Sequence, residues 1–264
     1  MAAIRTALFP TPEALKDFAT DRGDILLLLS LGFPPESFLE AAREAAGTVL
    51  LADCYGVIGT EPETGRNREF MEEGRGTEYG GVGGRGGRAV VAVAFSGAEA
   101  GEGPPPPAPA HLVIAAHGRP YPPASPLFGG VAKRTWRWDR EEEKFVETDG
   151  LRISLPEALR VGIKLFTGQP EPALRALKEA IPSSLRLEAV ALFPCYMRGI
   201  NLYGRDDVEP EAVAKVAPGV PIFGMFCHGE LGPKGAWGYE LGPETPCGQH
   251  SMVTVAAFLG RPER

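Results

Sequence analysis

The segment PIFGMFCHGELGP (221–233) constrains the fold of this 264-residue chain more than any other stretch. Its apolar run, 222–226, has the length of a strand and stops abruptly at Cys227, His228 and Glu230, which offer a thiol, an imidazole and a carboxyl group. The glycines of the segment let the backbone approach a ligand or another strand closely, because glycine has no Cβ. The pattern predicts a buried strand that ends in a polar turn, and this turn either caps its own backbone or forms part of a functional site.

Two earlier apolar runs end in the same kind of turn. Residues 48–52 and 185–193 each lead into a Cys-Tyr dipeptide. Binding residues often lie on loops that a rigid scaffold positions, so we expect the three turns to meet at one cleft. The predicted ligand-binding residues are Cys54, Tyr55, Cys195, Tyr196, Arg198, Cys227, His228, Glu230 and His250.

The order of apolar runs and helix signals predicts an α+β fold. Residues 24–31 form an apolar run, which is typical of a strand buried on both faces. A capping box at Ser37 and Glu40 predicts a helix that leads into the strand at 48–52. This strand–helix–strand unit should pair its two strands in parallel.

The second part of the chain repeats this order. A second capping box and apolar residues at helical spacing predict a helix over 154–168, and strands follow at 185–193 and 220–226. We therefore predict two similar halves, 1–149 and 150–264, each a mixed and mostly buried β-sheet with flanking helices.

Several segments carry the signals of loops. The glycine-rich stretch 61–87 and the proline-rich stretch 100–110 contain too few apolar residues to offset the entropy of ordering, and 121–130 also indicates a loop. Glycine–arginine runs can bind RNA, but this one is short and lies in an acidic chain. A hairpin follows, with Trp136 and Trp138 on one exposed face.

Composition and motifs exclude several classes of function. The formal net charge of −7 argues against a phosphate-binding surface, so we expect no nucleic-acid partner. No segment indicates a signal peptide or a membrane span, and the four cysteines lack metal or disulfide spacing. Motifs for nucleotide, dinucleotide and zinc-protease sites are absent, and no cofactor is predicted. We expect free thiols and an intracellular, cytoplasmic protein, with a nuclear location left open.

The polar groups of the turns support a binding site or a structural role. Arg198 offers a planar fork for a carboxylate or phosphate, and Glu230 offers an acceptor for an ammonium group or a backbone N–H. Tyr55 and Tyr196 would form walls of an apolar cleft for a small ligand. In the structural alternative, Arg198 and Glu230 pair with each other and organise the loops.

A cysteine-dependent enzyme is a further alternative. Cys195 or Cys227 would act as the nucleophile, with a histidine such as His228, His250 or His117 as the base. Neighbouring residues on a strand point to opposite faces, so Cys227 and His228 would pair only across a turn. The same thiols and imidazoles could form a tetrahedral metal site in principle, but their wide spacing leads us to predict none.

Three segments carry a resemblance to a known family. They are ALFPCYMRGINLYG (191–204), VPIFGMFCHGELGP (220–233) and HSMVTVAAFLG (250–260). In this order they resemble the C-terminal half of FIST domains, and in particular the FIST region of the F-box only protein twenty-two family. The segment ADCYGVIGT (52–60) resembles the N-terminal FIST segment.

The resemblance implies a sensory module of the kind found in bacterial signalling proteins, which are proposed to bind small molecules such as amino acids. The F-box relatives recognise protein substrates, so a protein-interaction platform that uses an acidic surface and exposed tryptophans is a second alternative. Because the first predicted strand begins almost at Met1, we expect no F-box, and an adaptor role in a ubiquitin ligase is not expected.

Overall fold

A computed structural model provides the structure of the chain. It describes residues 4–19, 24–72, 86–101, 105–121, 126–235, 238–239 and 241–263. The predicted loop positions 73–85, 102–104 and 122–125 lie outside the described residues. None of the helices in the described ranges combines the length and the apolar composition that crossing a bilayer requires.

Strands and short helices alternate along the chain. The strands are β1 (Ile4–Phe9), β2 (Ile25–Leu31), β3 (Thr48–Asp53), β4 (Gly56–Thr60), β5 (Asn67–Met71), β6 (Ala89–Phe95), β7 (Glu99–Ala100), β8 (His111–Ala116), β9 (Leu127–Ala132), β10 (Arg134–Asp139), β11 (Lys144–Thr148), β12 (Gly150–Ser154), β13 (Arg160–Phe166), β14 (Leu185–Pro194), β15 (Ile222–Met225), β16 (Glu230–Pro233), β17 (Gly238–Tyr239), β18 (Cys247–His250) and β19 (Thr254–Pro262). The helices are α1 (Lys16–Ala19), α2 (Leu39–Glu44), α3 (Pro170–Ala180), α4 (Ile200–Tyr203) and α5 (Val208–Val216), with 3₁₀ turns at Pro12–Leu15 and Pro35–Phe38.

These strands form three mixed sheets. Sheet 1 has the order β1-β6-β2-β3-β10-β11, sheet 2 the order β17-β13-β19-β14-β15-β4-β5, and sheet 3 the order β18-β16-β9-β8-β12-β7. The pairs β2–β3, β14–β15 and β8–β9 are parallel. The α+β class and the parallel pairing of the first strand–helix–strand unit are thereby confirmed.

The main core lies between the sheets. Apolar side chains of all three sheets, such as Leu27, Phe223 and Ile114, belong to one buried cluster. Helical segments cover the outer faces of sheets 1 and 2: Phe38 packs with the outer face of sheet 1, and Leu174 of α3 packs with that of sheet 2. Full burial of each such side chain contributes roughly 1.5–3 kcal/mol, so this layering accounts for much of the stabilisation.

The two parts of the chain interleave. β4 and β5 lie in sheet 2 beside the later strand β15, with Gly59 opposite Phe223. Sheet 3 likewise combines β7, β8 and β9 with β12, β16 and β18. The division at 149/150 stays a prediction, and two of the three sheets take strands from both sides of it.

The predicted helix over 154–168 is wrong, because this stretch contains the end of β12 and the whole of β13. β13 pairs with β19 along its full length, and that long-range pairing overrides the helical spacing of the apolar residues. Val161 and Ile163 are β-branched and face the main core. Between them, Gly162 leaves room for α3, since a Cβ there would lie 3.2 Å from Leu177 Cδ1.

The predicted exposure of the tryptophans is also wrong. The hairpin exists as β10 and β11, but Trp136 and Trp138 are only 7% and 6% exposed. Both pack in the cluster beneath the first helices, and Trp138 lies 5.2 Å from Phe145 between ring centroids. Burial of such large rings stabilises the edge of sheet 1.

Three local predictions need correction. β9 begins inside the predicted loop 121–130, and β5 lies inside the glycine-rich stretch 61–87. The capping box at Ser37 and Glu40 does not form: the chain enters a 3₁₀ turn first, and α2 begins at Leu39 without a side-chain cap. Pairing of β5 with β4 and of β9 with β8 accounts for the first two differences.

Candidate functional site

Five side chains meet where strands of different sheets end. Tyr55, His117, Lys133, Tyr196 and His228 follow the last residues of β3, β8, β9, β14 and β15, respectively. We call them the strand-end cluster. β3 belongs to sheet 1, β8 and β9 belong to sheet 3, and β14 and β15 belong to sheet 2. The cluster therefore lies where the three sheets come together.

Backbone hydrogen bonds between the strand ends hold the rings in place. The N–H of His228 donates to the carbonyl of Val131 at 3.0 Å, and the N–H of Tyr196 donates to the carbonyl of Cys227 at 2.9 Å. The carbonyl of Tyr55 accepts a bond from Glu72 N–H at 3.0 Å. These bonds extend the sheet pairing by a few residues, so a rigid scaffold supports the cluster.

The aromatic and imidazole rings stack against one another. The Tyr196 and His228 rings are nearly parallel, with centroids 5.5 Å apart and planes 8° apart. The His117 ring lies 4.0 Å from that of His228, and Tyr55 lies 5.9 Å from His228. A hydrogen bond of 3.1 Å joins Tyr55 Oη and His117 Nδ1. Tyr55 is buried, Tyr196 is half-buried, and both histidines are exposed, so the stack presents imidazoles to the solvent.

Charged groups form one rim of the cluster. Lys133 Nζ lies 5.4 Å from the centre of the Tyr55 ring, 2.9 Å from Glu72 Oε1 and 3.9 Å from Asp53 Oδ1. Burial raises the pKa of Asp53, and the charge of Lys133 opposes that shift. A cation between two carboxylates beside exposed rings suits a small ligand that carries both charges.

Three thiols lie beneath the rings. Cys195 and Cys227 face each other in a parallel bridge between the ends of β14 and β15, and Cys54 Sγ lies 3.4 Å from Met225 Sδ. All three are free thiols and are at most 5% exposed. Burial raises the pKa of each, and nearby carboxyl groups add to the shift. Because the thiolate is the nucleophilic form, the environment disfavours cysteine catalysis.

Glu230 is buried below the same strand ends. Its side chain is fully buried, and Oε2 accepts a bond of 3.4 Å from Val253 N–H. Burial raises the pKa of Glu230 to about 8, so the carboxyl group is mostly protonated at neutral pH. Oε1 has no hydrogen-bond partner among the described residues. The predicted role of Glu230 as an acceptor of a backbone N–H is thus present, and its predicted role toward a ligand stays a prediction.

Arg198 does not reach the cluster. It is 1% exposed, and its Nε donates to Glu209 Oε1 at 2.8 Å. Its Nη atoms donate to the carbonyls of Thr167 and Gly168 at 2.7 and 3.0 Å. Among the described residues Arg198 pairs with Glu209 and not with Glu230, and its predicted role as a fork for a ligand stays a prediction.

His250 is likewise outside the ring stack. It lies on the edge strand β18 opposite Glu230, and its Nε2 is 3.3 Å from the carbonyl oxygen of Gly232. Of the predicted residues, Tyr55, Tyr196 and His228 meet in the strand-end cluster, and the three thiols and Glu230 are buried near the same strand ends. In the described ranges, no group of three or more His, Cys, Asp and Glu side chains is arranged to hold a metal ion.

Sequence reasoning missed Lys133, Glu72 and Asp53 as members of the site, and it considered His117 only as a base. A usable signal existed for His117, because it directly follows the buried run 111–116. Lys133 follows β9, and most of β9 lies in the stretch 121–130 that the sequence predicts as a loop. Glu72 directly follows β5, and the sequence predicts the whole stretch 61–87 as a loop.

The fold and site define an α+β protein with a rigid ring cluster at converging strand ends. Residues 143–233 match the family model of the FIST C domain. The match contains the segments 191–204 and 220–233, so the predicted FIST resemblance is confirmed there. No curated protein matches the chain. The likeness to the F-box relatives and the N-terminal FIST likeness of 52–60 stay predictions.

Proposed function

We propose that this chain is a ligand-binding sensory module of the FIST type and that the strand-end cluster binds the ligand. The observation that carries the proposal is the stack of Tyr196, His228 and His117, which is exposed on one side and rigidly supported on the other. A FIST C match supports it, because FIST domains are in general sensory and ligand-binding modules.

The ligand is a small molecule of amino-acid size. Lys133 can bind a carboxylate, and Asp53 or Glu72 can bind an ammonium group, while the rings contact the remaining part of the molecule. Tyr55, His117 and Lys133 come from the predicted N-terminal half, and Tyr196 and His228 come from the C-terminal half. The site therefore suits the cleft between halves that we expect from the sequence, and ligand binding would couple the strand ends of all three sheets in a signalling role.

The two alternatives have less support. A nucleophilic cysteine would need a thiolate, and burial raises the pKa of Cys54, Cys195 and Cys227. A protein-interaction platform was based on exposed tryptophans, and Trp136 and Trp138 are buried. Recognition of a protein partner therefore rests on the acidic composition and on the likeness to F-box relatives.

The proposal is tested by titrating the purified protein with each standard amino acid and recording thermal melts and calorimetric binding. We expect one or a few to bind and to raise the melting temperature. The variant His228→Ala should weaken that binding by about tenfold or more, because it removes the central ring of the stack.

His250→Ala is the matched control, since it removes an imidazole that lies outside the stack. It should leave the affinity within about twofold. Equal losses in both variants, or unchanged binding in His228→Ala, would place the ligand elsewhere. If no amino acid binds the native protein, the proposed ligand class is wrong.

A further inference from the structure

Met252 is an exposed apolar residue in a strained backbone position. Its side chain is 52% exposed, and its φ of +62° lies in the left-handed region, where a residue with a Cβ is strained. Burial of the side chain does not offset this strain, and strained residues concentrate at functional sites. The position of Met252 therefore points to a role other than packing.

Strand pairing places Met252 next to the strand-end cluster. β14 and β19 pair antiparallel, and beyond the last pair of residues the N–H of Cys195 still donates to the carbonyl of Val253 at 2.9 Å. The same register, continued by one residue, places Met252 opposite Tyr196. Opposite residues of an antiparallel pair have Cβ atoms about 4.5–5.5 Å apart. Met252 is therefore a neighbour of the ring stack.

The topology of sheet 2 arranges the residues at these strand ends in a row. Neighbouring strands follow the order β19-β14-β15-β4, and next to their ends lie, in that order, Met252, Tyr196, His228 and Tyr55. β19 and β4 run antiparallel to β14 and β15, so all four residues lie at the same end of the sheet. The charged rim with Lys133 lies at Tyr55. The row thus has a charged end and an apolar end.

The dimensions of the row select the size of a ligand. Lys133 Nζ lies 5.4 Å from the centre of the Tyr55 ring, and that centre lies 5.8 Å from the centre of the Tyr196 ring, so the amine and the Tyr196 ring are at most about 11 Å apart. A charge-assisted bond spans about 2.8 Å and an apolar contact about 4 Å, which leaves about 4 Å for the ligand. The side chains of leucine, methionine and phenylalanine cover this distance from their carboxylate, and the methyl group of alanine does not.

We infer that the ligand of the strand-end cluster is an α-amino acid with a large apolar side chain, and that Met252 contacts this side chain. The inference rests on the proposed function, in which Lys133 binds the carboxylate and Asp53 or Glu72 binds the ammonium group. Tyr196 then flanks the apolar side chain, and the flexible thioether of Met252 covers its end. Met252 determines specificity, because it lies away from the groups that all amino acids share.

The test compares leucine, methionine, phenylalanine, alanine and serine by calorimetric titration of the native protein. We expect at least one of the large apolar amino acids to bind about tenfold more tightly than alanine, because its additional carbon atoms are buried against the row. Serine should bind no more tightly than alanine.

Two substitutions of Met252 separate specificity from stability. Met252→Ala should reduce the preference for the large apolar amino acid from about tenfold to about threefold and leave the affinity for alanine within about twofold. Met252→Gly should cause the same loss of preference and melt at or above the native temperature, because glycine adopts a positive φ without strain. A residue with a purely structural role would not change the ranking of ligands.

Val146→Ala is the matched control, because Val146 is an exposed apolar residue on β11, at the far edge of sheet 1. It should leave every affinity unchanged. Equal affinities for leucine, methionine, phenylalanine and alanine, tighter binding of serine, or an unchanged preference in Met252→Ala would overturn the inference, even where His228→Ala still weakens binding. Failure of the proposed function gives a different pattern: either no amino acid binds the native protein or His228→Ala leaves all affinities unchanged, and the inference then falls with it.

Discussion

The strand-end cluster and the Arg198–Glu209 pair both take a residue from the segment that follows β14, yet they use polar side chains in opposite ways. Tyr196 and Arg198 both follow β14, two residues apart. Arg198 and Glu209 are each 1% exposed, and Glu209 also accepts bonds from Tyr203 and Thr254. His228 and His117 stack at the surface instead. Saturated hydrogen bonding marks the Arg198–Glu209 pair as structural, whereas exposed groups on a rigid base are the reason for proposing the strand-end cluster as the ligand site.

The largest expected effect concerns the buried pair. Arg198→Met should lower the free energy of unfolding by about 3–5 kcal/mol, because it leaves the Glu209 carboxylate buried without its cation. Chemical denaturation measures the change. Arg175→Met, which removes an exposed i,i+4 pair with Glu171, is the control and should cost less than about 1 kcal/mol. A loss for Arg198→Met as small as that of the control would end the structural assignment.

The next effect sharpens the comparison at Glu230, whose carboxyl group is fully buried. Its pKa is raised from 4.5 to about 8, so the folded state binds a proton that the unfolded state releases, and stability falls as pH rises through this window. Glu230→Gln stays neutral and avoids this loss. The variant should be more stable than the native protein by up to about 3 kcal/mol at pH 7 and near-equal at pH 4.

Denaturation curves of both proteins across that pH range test the prediction. The difference in unfolding free energy should grow steadily from pH 4 to pH 8. A constant difference would show that folding does not raise the pKa of Glu230, and a native protein that is the more stable one at pH 7 would show that Glu230 is ionised and paired in the folded state.

A smaller and purely kinetic effect is expected for the thiols. Cys54 and Cys227 should resist iodoacetamide in the native protein, because both are fully buried and burial raises the pKa of each. Cys247, which is half-buried, should react first. Mass spectrometry of alkylated peptides identifies the order. Rapid stoichiometric labelling of Cys195 or Cys227 would reopen the enzymatic alternative.

The smallest effect on stability is expected in the cluster itself. His228→Ala removes an exposed ring and should change the free energy of unfolding by about 0.5 kcal/mol or less. Denaturation under the conditions used for Arg198→Met allows a direct comparison. A loss of several kcal/mol would mean that the ring stack holds the strand ends together, and the contrast between the two regions would fail.

The sequence predicts the cluster better than it predicts the buried pair, and the reason is physical. Tyr55, Tyr196 and His228 each follow an apolar run, so local patterning alone places them at strand ends. Which strand ends meet depends on pairing between distant segments, and this is why Lys133 was missed. The partner of Arg198 also comes from tertiary packing, since Glu209 lies 11 residues away at the start of α5. The helix predicted over 154–168 failed for the same reason, because pairing with β19 decides that segment.

The most direct test of the account is a heteronuclear NMR titration with the amino acid that raises the melting temperature most. The account predicts that the largest amide shifts fall at Tyr55, His117, Lys133, Tyr196 and His228, while Arg198 and Glu209 stay unchanged. Shifts centred on Arg198 and Glu209, or the absence of any shift at the five cluster residues, would contradict the assignment of the strand-end cluster as the ligand site.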